Sequence, residues 1–141
     1  RCYDYKSPGY YFVTICTAGK TKLFWKSEQL MDGHPALSDA GMIVERCIQE
    51  IPLHYPCVQV LQYNVMPNHV HIILQIAEGN TATLSKVVGQ MKQAVSRTIG
   101  KSIWQKSYHD HVIRGEQDYL KIWNYVVYNH KKWKEDCFFE K

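Results

Sequence analysis

The 141-residue sequence contains no run of 18 or more apolar residues, and this absence argues against a membrane-spanning helix. No secretory signal peptide is visible at its N-terminal end. The five cysteines are scattered and odd in number, and no two of them have the CxxC spacing. This pattern argues against both a disulfide framework and a zinc knuckle. We therefore expect a protein of the reducing cytoplasm with no membrane partner.

The sequence also lacks an excess of one charge large enough to dictate a partner. It has 17 Lys and Arg against 13 Asp and Glu, which gives a net charge of +4. This mildly basic balance permits a polyanionic partner but does not require one. A hydrophobic content of 45% with 21% charged residues is typical of a folded globular chain. The length predicts a single domain over residues 1–141.

Hydrophobic patterning along the chain predicts a regular order of secondary-structure elements. β-Branched, aromatic or alternating residues predict strands at 10–17, 58–66, 69–76 and within 103–113. Apolar stripes at helical spacing predict helices over 39–51, 83–99 and 116–130. The order strand, helix, strand, strand, helix, strand, helix predicts an α+β fold. We expect a ferredoxin-like antiparallel sheet with helices packed on one side.

Two histidines stand out in the third predicted strand, which begins within the segment MPNHVHIIL. Residues i and i+2 of a strand share a face, so His69 and His71 point the same way, with Cα atoms about 7 Å apart. Imidazole is a common metal ligand, and two on one strand face are arranged to bind an ion. The alternative is two polar residues on a solvent-facing sheet surface. A second pair, His109 and His111, has the same spacing, so the spacing alone does not show whether a histidine pair binds metal.

A tyrosine and an asparagine lie one turn apart on the last predicted helix. At about 100° per residue, Tyr125 and Asn129 fall outside the expected core face. That face is formed by Tyr119, Leu120, Trp123, Val126 and Val127. A tyrosine on a polar helix face beside an amide is a candidate nucleophile. A surface tyrosine with no chemical role explains the same position equally well.

Together, these residues would suit the cleavage of a phosphodiester. A phosphodiester anion repels nucleophiles unless a divalent ion binds a non-bridging oxygen and acts as a Lewis acid. His69, His71 and the carboxamide of Asn129 could provide three ligands for such an ion. Tyr125 would then lie one helical turn from the third ligand.

Several segments in combination resemble the HUH single-tyrosine transposases, and in particular the REP-associated tyrosine transposases. The likeness is carried by MPNHVHIIL and, some fifty residues later, by WQKSYHDHVIRGEQDYLKIWNYVVYNHKKW. The initial segment YDYKSPGYYFVTICT is similar to that branch as well. The resemblance therefore covers nearly the whole chain.

The resemblance implies a ferredoxin-like fold and cleavage of single-stranded DNA through a covalent 5′-phosphotyrosine that leaves a free 3′-OH. It implies that Tyr125 is the nucleophile and that His69, His71 and Asn129 bind a divalent metal, Mg²⁺ or Mn²⁺. Many members recognise hairpin DNA and many are dimers. The implied partners are accordingly single-stranded or hairpin DNA and a second copy of the chain.

Basic residues are expected to line a DNA-binding groove, although single lysines often carry only solvated charge. The candidates are Lys86, Lys92, Arg97, Lys106, Arg114, Lys121 and Lys132. His111 occupies a position where the resembling branch commonly has histidine, and we expect it to be DNA-proximal or structural.

Two other functions are compatible with the same residues. One is a single-stranded nucleic-acid-binding module in which tyrosines exposed on the sheet stack with bases and no cleavage occurs. The other is a metal-dependent phosphodiester hydrolase in which water attacks in place of Tyr125.

Overall fold

The computed structural model describes residues 8–135, apart from the side chains of residues 132, 134 and 135. Its strands are β1 (Gly9–Cys16), β2 (Val58–Val65), β3 (His69–Ile76) and β4 (His109–Ile113). Its α-helices are α1 (Asp39–Gln49), α2 (Ile51–His54), α3 (Leu84–Ile99) and α4 (Glu116–Tyr128). Two short 3-10 helices span Ala18–Lys20 and Asn129–Glu135.

The four strands form one antiparallel sheet in the order β2-β3-β1-β4. The strand β3 is central, since it pairs with β1 along its whole length, from Gly9 opposite Ile76 to Cys16 opposite His69. Its other edge pairs with β2. This order and pairing confirm the predicted α+β fold with a ferredoxin-like antiparallel sheet.

One face of the sheet holds the larger hydrophobic core. Alternate residues of β1 and β3 pack there against the apolar stripes of α1 and α3. Both helices begin at capping residues: the hydroxyl oxygens of Ser38 and Thr83 accept hydrogen bonds from backbone N–H groups of the first turn. The helix α3 ends at Gly100, whose φ of 95° suits glycine.

The helix α4 packs on the opposite face, which differs from the expectation of helices on one side only. Its buried residues Ile122 and Val126 cluster with Ile73 of β3 and Ile113 of β4. A sheet with apolar side chains on both faces needs cover on both, and α1 and α3 cover only the first. The sheet is therefore enclosed between two layers of helix.

The core-facing side of α4 also differs from the predicted one. Leu120, expected in the core, is 52% exposed, whereas Ile122 is buried. This helix has apolar residues around much of its circumference, so periodicity did not identify the side that docks. The docking side is set by Ile73 and Ile113 on the sheet, and it brings Tyr125 to the edge of the contact.

Among the described residues, no helix is long and apolar enough to cross a bilayer.

The close approach of α1 to the preceding loop predicts a stability effect at Gly41. A Cβ atom added there would lie 2.2 Å from the backbone oxygen of Phe24. Gly41→Ala should therefore lower the free energy of unfolding by about 1–3 kcal/mol, measured by chemical denaturation.

The matched control is Gly89→Ala in α3, where an added Cβ meets nothing within 4 Å. This change should raise stability by about 0.5–1 kcal/mol through helix propensity. Equal effects of the two substitutions would contradict the proposed steric cause.

Candidate active site

His69 and His71 lie at the start of β3 on the sheet face that α4 covers. In the sheet, His71 is directly opposite Thr14 of β1 and Asn64 of β2. Both imidazoles are 0% exposed. The interpretation as solvent-facing residues is therefore wrong, because α4 and the segment after it close over this face.

The two rings converge on each other through their Nε2 atoms, which are 3.1 Å apart. The Nδ1 atom of His71 lies 2.9 Å from the hydroxyl oxygen of Thr14. The Nδ1 atom of His69 lies 2.7 Å from the side-chain oxygen of Asn68. These contacts direct both Nε2 atoms towards one point.

Tyr125 is placed beside this pair by α4. Its ring centroid is 5.1 Å from that of His71 and 6.1 Å from that of Phe12, edge-on in both cases. It is 36% exposed, so it contacts the buried histidine and remains accessible from outside. One chain thus brings the predicted nucleophile and a predicted ligand together.

Asn129 follows Tyr125 by one helical turn and is only 3% exposed. It caps α4, and the neighbouring backbone is held to the sheet by Asn64, whose side-chain N–H donates to the carbonyl oxygen of Val126 at 2.9 Å. Carbonyls in the last turn of a helix lack intrahelical partners, so this bond satisfies one of them. It also ties the turn that carries Tyr125 to β2.

The geometry of the histidine pair fits a divalent ion. The two Nε2 atoms lie 3.1 Å apart in a buried site, so both could bind the same ion. In the part of the chain that the structure describes, no three His, Cys, Asp or Glu side chains form a metal-binding group. The candidate third ligand, Asn129, has an amide side chain and so lies outside that set of residue types.

Aromatic rings line the site. Phe12 stacks on His71 with ring centroids 5.4 Å apart, and Trp133 lies 6.0 Å from His69. The indole N–H of Trp133 donates to a carboxylate oxygen of Glu28 at 2.8 Å, which ties the chain after α4 to the loop before α1. These walls exclude water from the imidazoles and strengthen electrostatic interactions there.

The predicted basic groove is divided between the two sides of the sheet. Lys86 and Arg97 are exposed on α3, whereas Lys121 is exposed on α4, one turn before Tyr125. The two sets lie on opposite sides of the sheet, because α3 and α4 pack on opposite faces. Arg114 is exposed just before α4 and Lys106 in the loop before β4, while the side chain of Lys132 lies outside the described residues.

Two of the predicted DNA contacts have internal partners. The ammonium group of Lys92 donates to the carbonyl oxygens of Gln105 and Lys106 at 2.7 and 3.4 Å, and burial lowers its pKa. His111 donates to the carboxylate of Asp118 at 2.8 Å, and this bond lowers the pKa of Asp118. That bond joins β4 to the first turn of α4, which agrees with the structural alternative for His111.

A family comparison covers most of these elements. The model of the family described as "Transposase IS200 like" matches residues 38–129, which include His69, His71, Tyr125 and Asn129. The chain belongs to the IS200-like transposases. The resemblance to single-tyrosine transposases is thereby confirmed.

Two relatives of this IS200-like transposase come from Haemophilus influenzae. An uncharacterised protein of Haemophilus influenzae is 31% identical, and the match covers 95% of this chain and 87% of that protein. A provisionally named REP-associated tyrosine transposase of the same organism is 23% identical, over 89% of this chain and 72% of that protein.

Two solved structures share the fold of this IS200-like transposase. A REP-associated tyrosine transposase bound to a REP hairpin superposes with a TM-score of 0.70 at 22% identity, over 94% of this chain and 72% of that one. A provisionally named transposase of Deinococcus radiodurans superposes with a TM-score of 0.56 at 16% identity, over 90% and 95% of the two chains.

Four residues around the site of this IS200-like transposase escaped the sequence interpretation. The sequence around Asn68 is typical of a turn. Its position directly before His69 could have indicated a contact with that imidazole. Thr14, Phe12 and Asn64 lie on β1 and β2 and reach His71 or α4 only through strand pairing. No local pattern marks them, because their role depends on the register of the sheet.

The hydrogen bond from Asn64 to the Val126 carbonyl is expected to stabilise the docking of α4 on the sheet. Asn64→Ala removes the donor to the Val126 carbonyl and should lower the free energy of unfolding by about 1 kcal/mol. Amide hydrogen exchange in the last turn of α4 should accelerate more than exchange in α3. Gln59→Ala, at an exposed position of the same strand, is the control and should change neither quantity.

Proposed function

We propose that this IS200-like transposase nicks and rejoins single-stranded DNA through a covalent bond between Tyr125 and a 5′ phosphate. The observation that carries the proposal is the contact between Tyr125 and His71, at 5.1 Å between ring centroids, beside two convergent imidazole nitrogens. A nucleophile next to a ligand pair is the arrangement that phosphoryl transfer requires. Membership of a transposase family supports the same reaction.

The reaction balances without an external energy source. The Tyr125 oxygen loses its proton to solvent and attacks phosphorus, while the bond from phosphorus to the 3′ oxygen breaks. The 3′ oxygen takes up a proton from solvent and leaves as a 3′-OH, and the other DNA segment remains attached to Tyr125 through its 5′ phosphate. A 3′-OH can later attack the phosphotyrosine, which restores a phosphodiester and frees Tyr125 without ATP.

His69, His71 and Asn129 would hold Mg²⁺ or Mn²⁺ in this proposal. The donor set combines imidazole nitrogen with the oxygen donor that suits Mg²⁺ and Mn²⁺. When bound, the ion would polarise a non-bridging phosphate oxygen as a Lewis acid. The rigid pairing of β3 with both neighbours keeps the two imidazoles at their observed separation.

DNA would approach along α4 in this proposal. Lys121, Tyr125 and Asn129 follow one another at intervals of one helical turn, about 6 Å. In this proposal the exposed Lys121 binds a backbone phosphate next to the attacked one. The hairpin in the related structure supports hairpin or single-stranded DNA as the substrate.

The reaction does not need a second subunit to bring Tyr125 to His71, since one chain already does so. The homodimer expected from the family therefore stays a prediction about assembly.

The alternative of a base-stacking module loses support, because helices cover both faces of the sheet on which bases would have to stack. The alternative of a hydrolase, in which water attacks phosphorus, differs from the proposal because it would form no covalent adduct between protein and DNA.

The decisive test is Tyr125→Phe. The ring and its contacts with His71 and Phe12 are kept, so folding, metal binding and DNA binding should survive. Cleavage and the covalent adduct should disappear together, because only the attacking oxygen is lost. The measurement is denaturing gel electrophoresis with 5′- and 3′-labelled single-stranded oligonucleotides in Mg²⁺ or Mn²⁺.

The control for this test is Tyr128→Phe, at a position on α4 that is 51% exposed. It should retain cleavage and adduct. Cleavage that persists in Tyr125→Phe, or an adduct mapped to Tyr128, would overturn the nucleophile assignment. Wild-type cleavage without an adduct would favour the hydrolase.

Loss of either histidine should abolish metal-dependent cleavage. Because both imidazoles are buried, His69→Ala and His71→Ala should also lower the free energy of unfolding, by about 1–3 kcal/mol. Asn129→Ala should weaken Mn²⁺ binding less, since an amide oxygen is a neutral and weaker ligand. Mn²⁺ affinity is measured by electron paramagnetic resonance of the free ion.

The matched control is His109→Ala. His109 is exposed and lies opposite Thr14 on the other edge of β1, about 10 Å from the strand position of His71. Its removal should leave Mn²⁺ affinity unchanged, and a large loss would move the metal site away from His69 and His71.

A phosphate contact at Lys121 should appear in the salt dependence of DNA binding. Lys121→Ala should weaken binding of single-stranded DNA and reduce the slope of log affinity against log salt by about 0.7. Lys86→Ala, on the opposite side of the molecule, is the control and should leave the slope unchanged. Equal effects of the two variants would contradict an approach of DNA along α4.

A further inference from the structure

We propose that Asn68 and Thr14 are positioning residues that control which nitrogen of each buried imidazole carries its proton. Asn68 holds His69 in one tautomer, whereas Thr14 allows His71 to exchange between two. The inference rests on the proposed function only in taking the two histidines as metal ligands. It concerns hydrogen bonds that are present whether or not the chain cleaves DNA.

The amide of Asn68 has a defined orientation. Its side-chain nitrogen lies 3.4 Å from the carbonyl oxygen of Lys20, and its side-chain oxygen lies 2.7 Å from Nδ1 of His69. The flipped amide would place two oxygens against each other at Lys20. The oxygen therefore faces His69 and can only accept, so Nδ1 of His69 carries the proton and Nε2 carries a lone pair.

The lone pair on His69 determines the state of His71 in the metal-free protein. The two Nε2 atoms are 3.1 Å apart, and two lone pairs at that distance would repel each other in a buried site. A proton on Nε2 of His71 turns the contact into a hydrogen bond. Nδ1 of His71 then carries the lone pair and accepts from the Thr14 hydroxyl at 2.9 Å.

His71 must change tautomer before it can act as a ligand, because a ligating nitrogen needs its lone pair. One proton leaves Nε2 and one is taken up at Nδ1, so the ring stays neutral and the proton count is unchanged. The Thr14 hydroxyl turns from donor to acceptor for the new N–H. A hydroxyl can do both, whereas the oxygen of Asn68 can only accept.

The first test is long-range ¹H–¹⁵N NMR of the histidine rings at pH 8, where imidazole is neutral in solution. Without metal, His69 should be protonated at Nδ1 and His71 at Nε2. With Zn²⁺ added as a diamagnetic probe, both should be protonated at Nδ1. Identical tautomers in the metal-free protein, or no change at His71 with Zn²⁺, would overturn the inference.

The second test compares Thr14→Val with Thr14→Ser. Valine keeps the shape and removes the hydroxyl, so Mn²⁺ affinity should fall by about 10–100-fold, as expected for an outer-shell partner. Serine keeps the hydroxyl, so affinity should remain within about threefold of wild type. An unchanged affinity in Thr14→Val, or equal losses in both variants, contradicts the assignment. Thermal unfolding establishes that both variants are folded.

Asn68 is tested by the same spectra. In Asn68→Ala the acceptor is lost, so His69 should no longer be confined to the Nδ1-protonated tautomer. Asn68→Asp keeps an acceptor at the same place and should preserve that tautomer. A His69 spectrum unchanged in Asn68→Ala would remove Asn68 from the proposal.

These outcomes are separate from those that test the proposed function. If the tautomers change as described but wild type forms no adduct with DNA, the positioning roles stand and the transfer reaction fails. If the adduct forms through Tyr125 but the metal-free tautomers are identical, the reaction stands and the positioning roles fail.

Discussion

The pairing of β3 with a strand on each edge is the constraint on which the rest of the site depends. It places Thr14 on one side of His71 and Asn64 on the other, at strand spacings of about 5 Å. A slip of one residue in either register would turn the histidines to the opposite face, into the core of α1 and α3. The hydrophobic alternation of β3 therefore determines where the imidazoles point, because Val70 and Ile72 must be buried on the other side.

The docking of α4 turns this polar strand face into an enclosed site. Without the helix, two histidines and a threonine would face water, where their hydrogen bonds would compete with solvent. With Ile122 and Val126 packed on the sheet, the imidazoles are buried and Tyr125 lies at the boundary. Burial strengthens the interactions among the histidines, and one edge of Tyr125 stays exposed to solvent.

Prediction from the sequence succeeded where the signal was local and failed where it depended on packing. The helices over 39–51 and 83–99 were predicted because their apolar stripes repeat at helical spacing within the segment itself. The exposed position of Leu120 was missed because its environment is decided by a helix docking against distant strands. The division of the basic residues between α3 and α4 was missed for the same reason, since charge along the chain carries no information about which face of the sheet a helix covers.

The sequence by itself determined the spacing of His69 and His71, their shared strand face, and the one-turn interval between Tyr125 and Asn129. Those relations follow from the periods of strand and helix, which need no tertiary contact. Only the tertiary structure decided that Tyr125 meets His71, that the histidines are buried, and that Thr14 and Asn68 bond to them. The physical reason is that strand pairing and helix docking join residues far apart in the chain, and hydrophobic burial selects one such arrangement over the whole molecule.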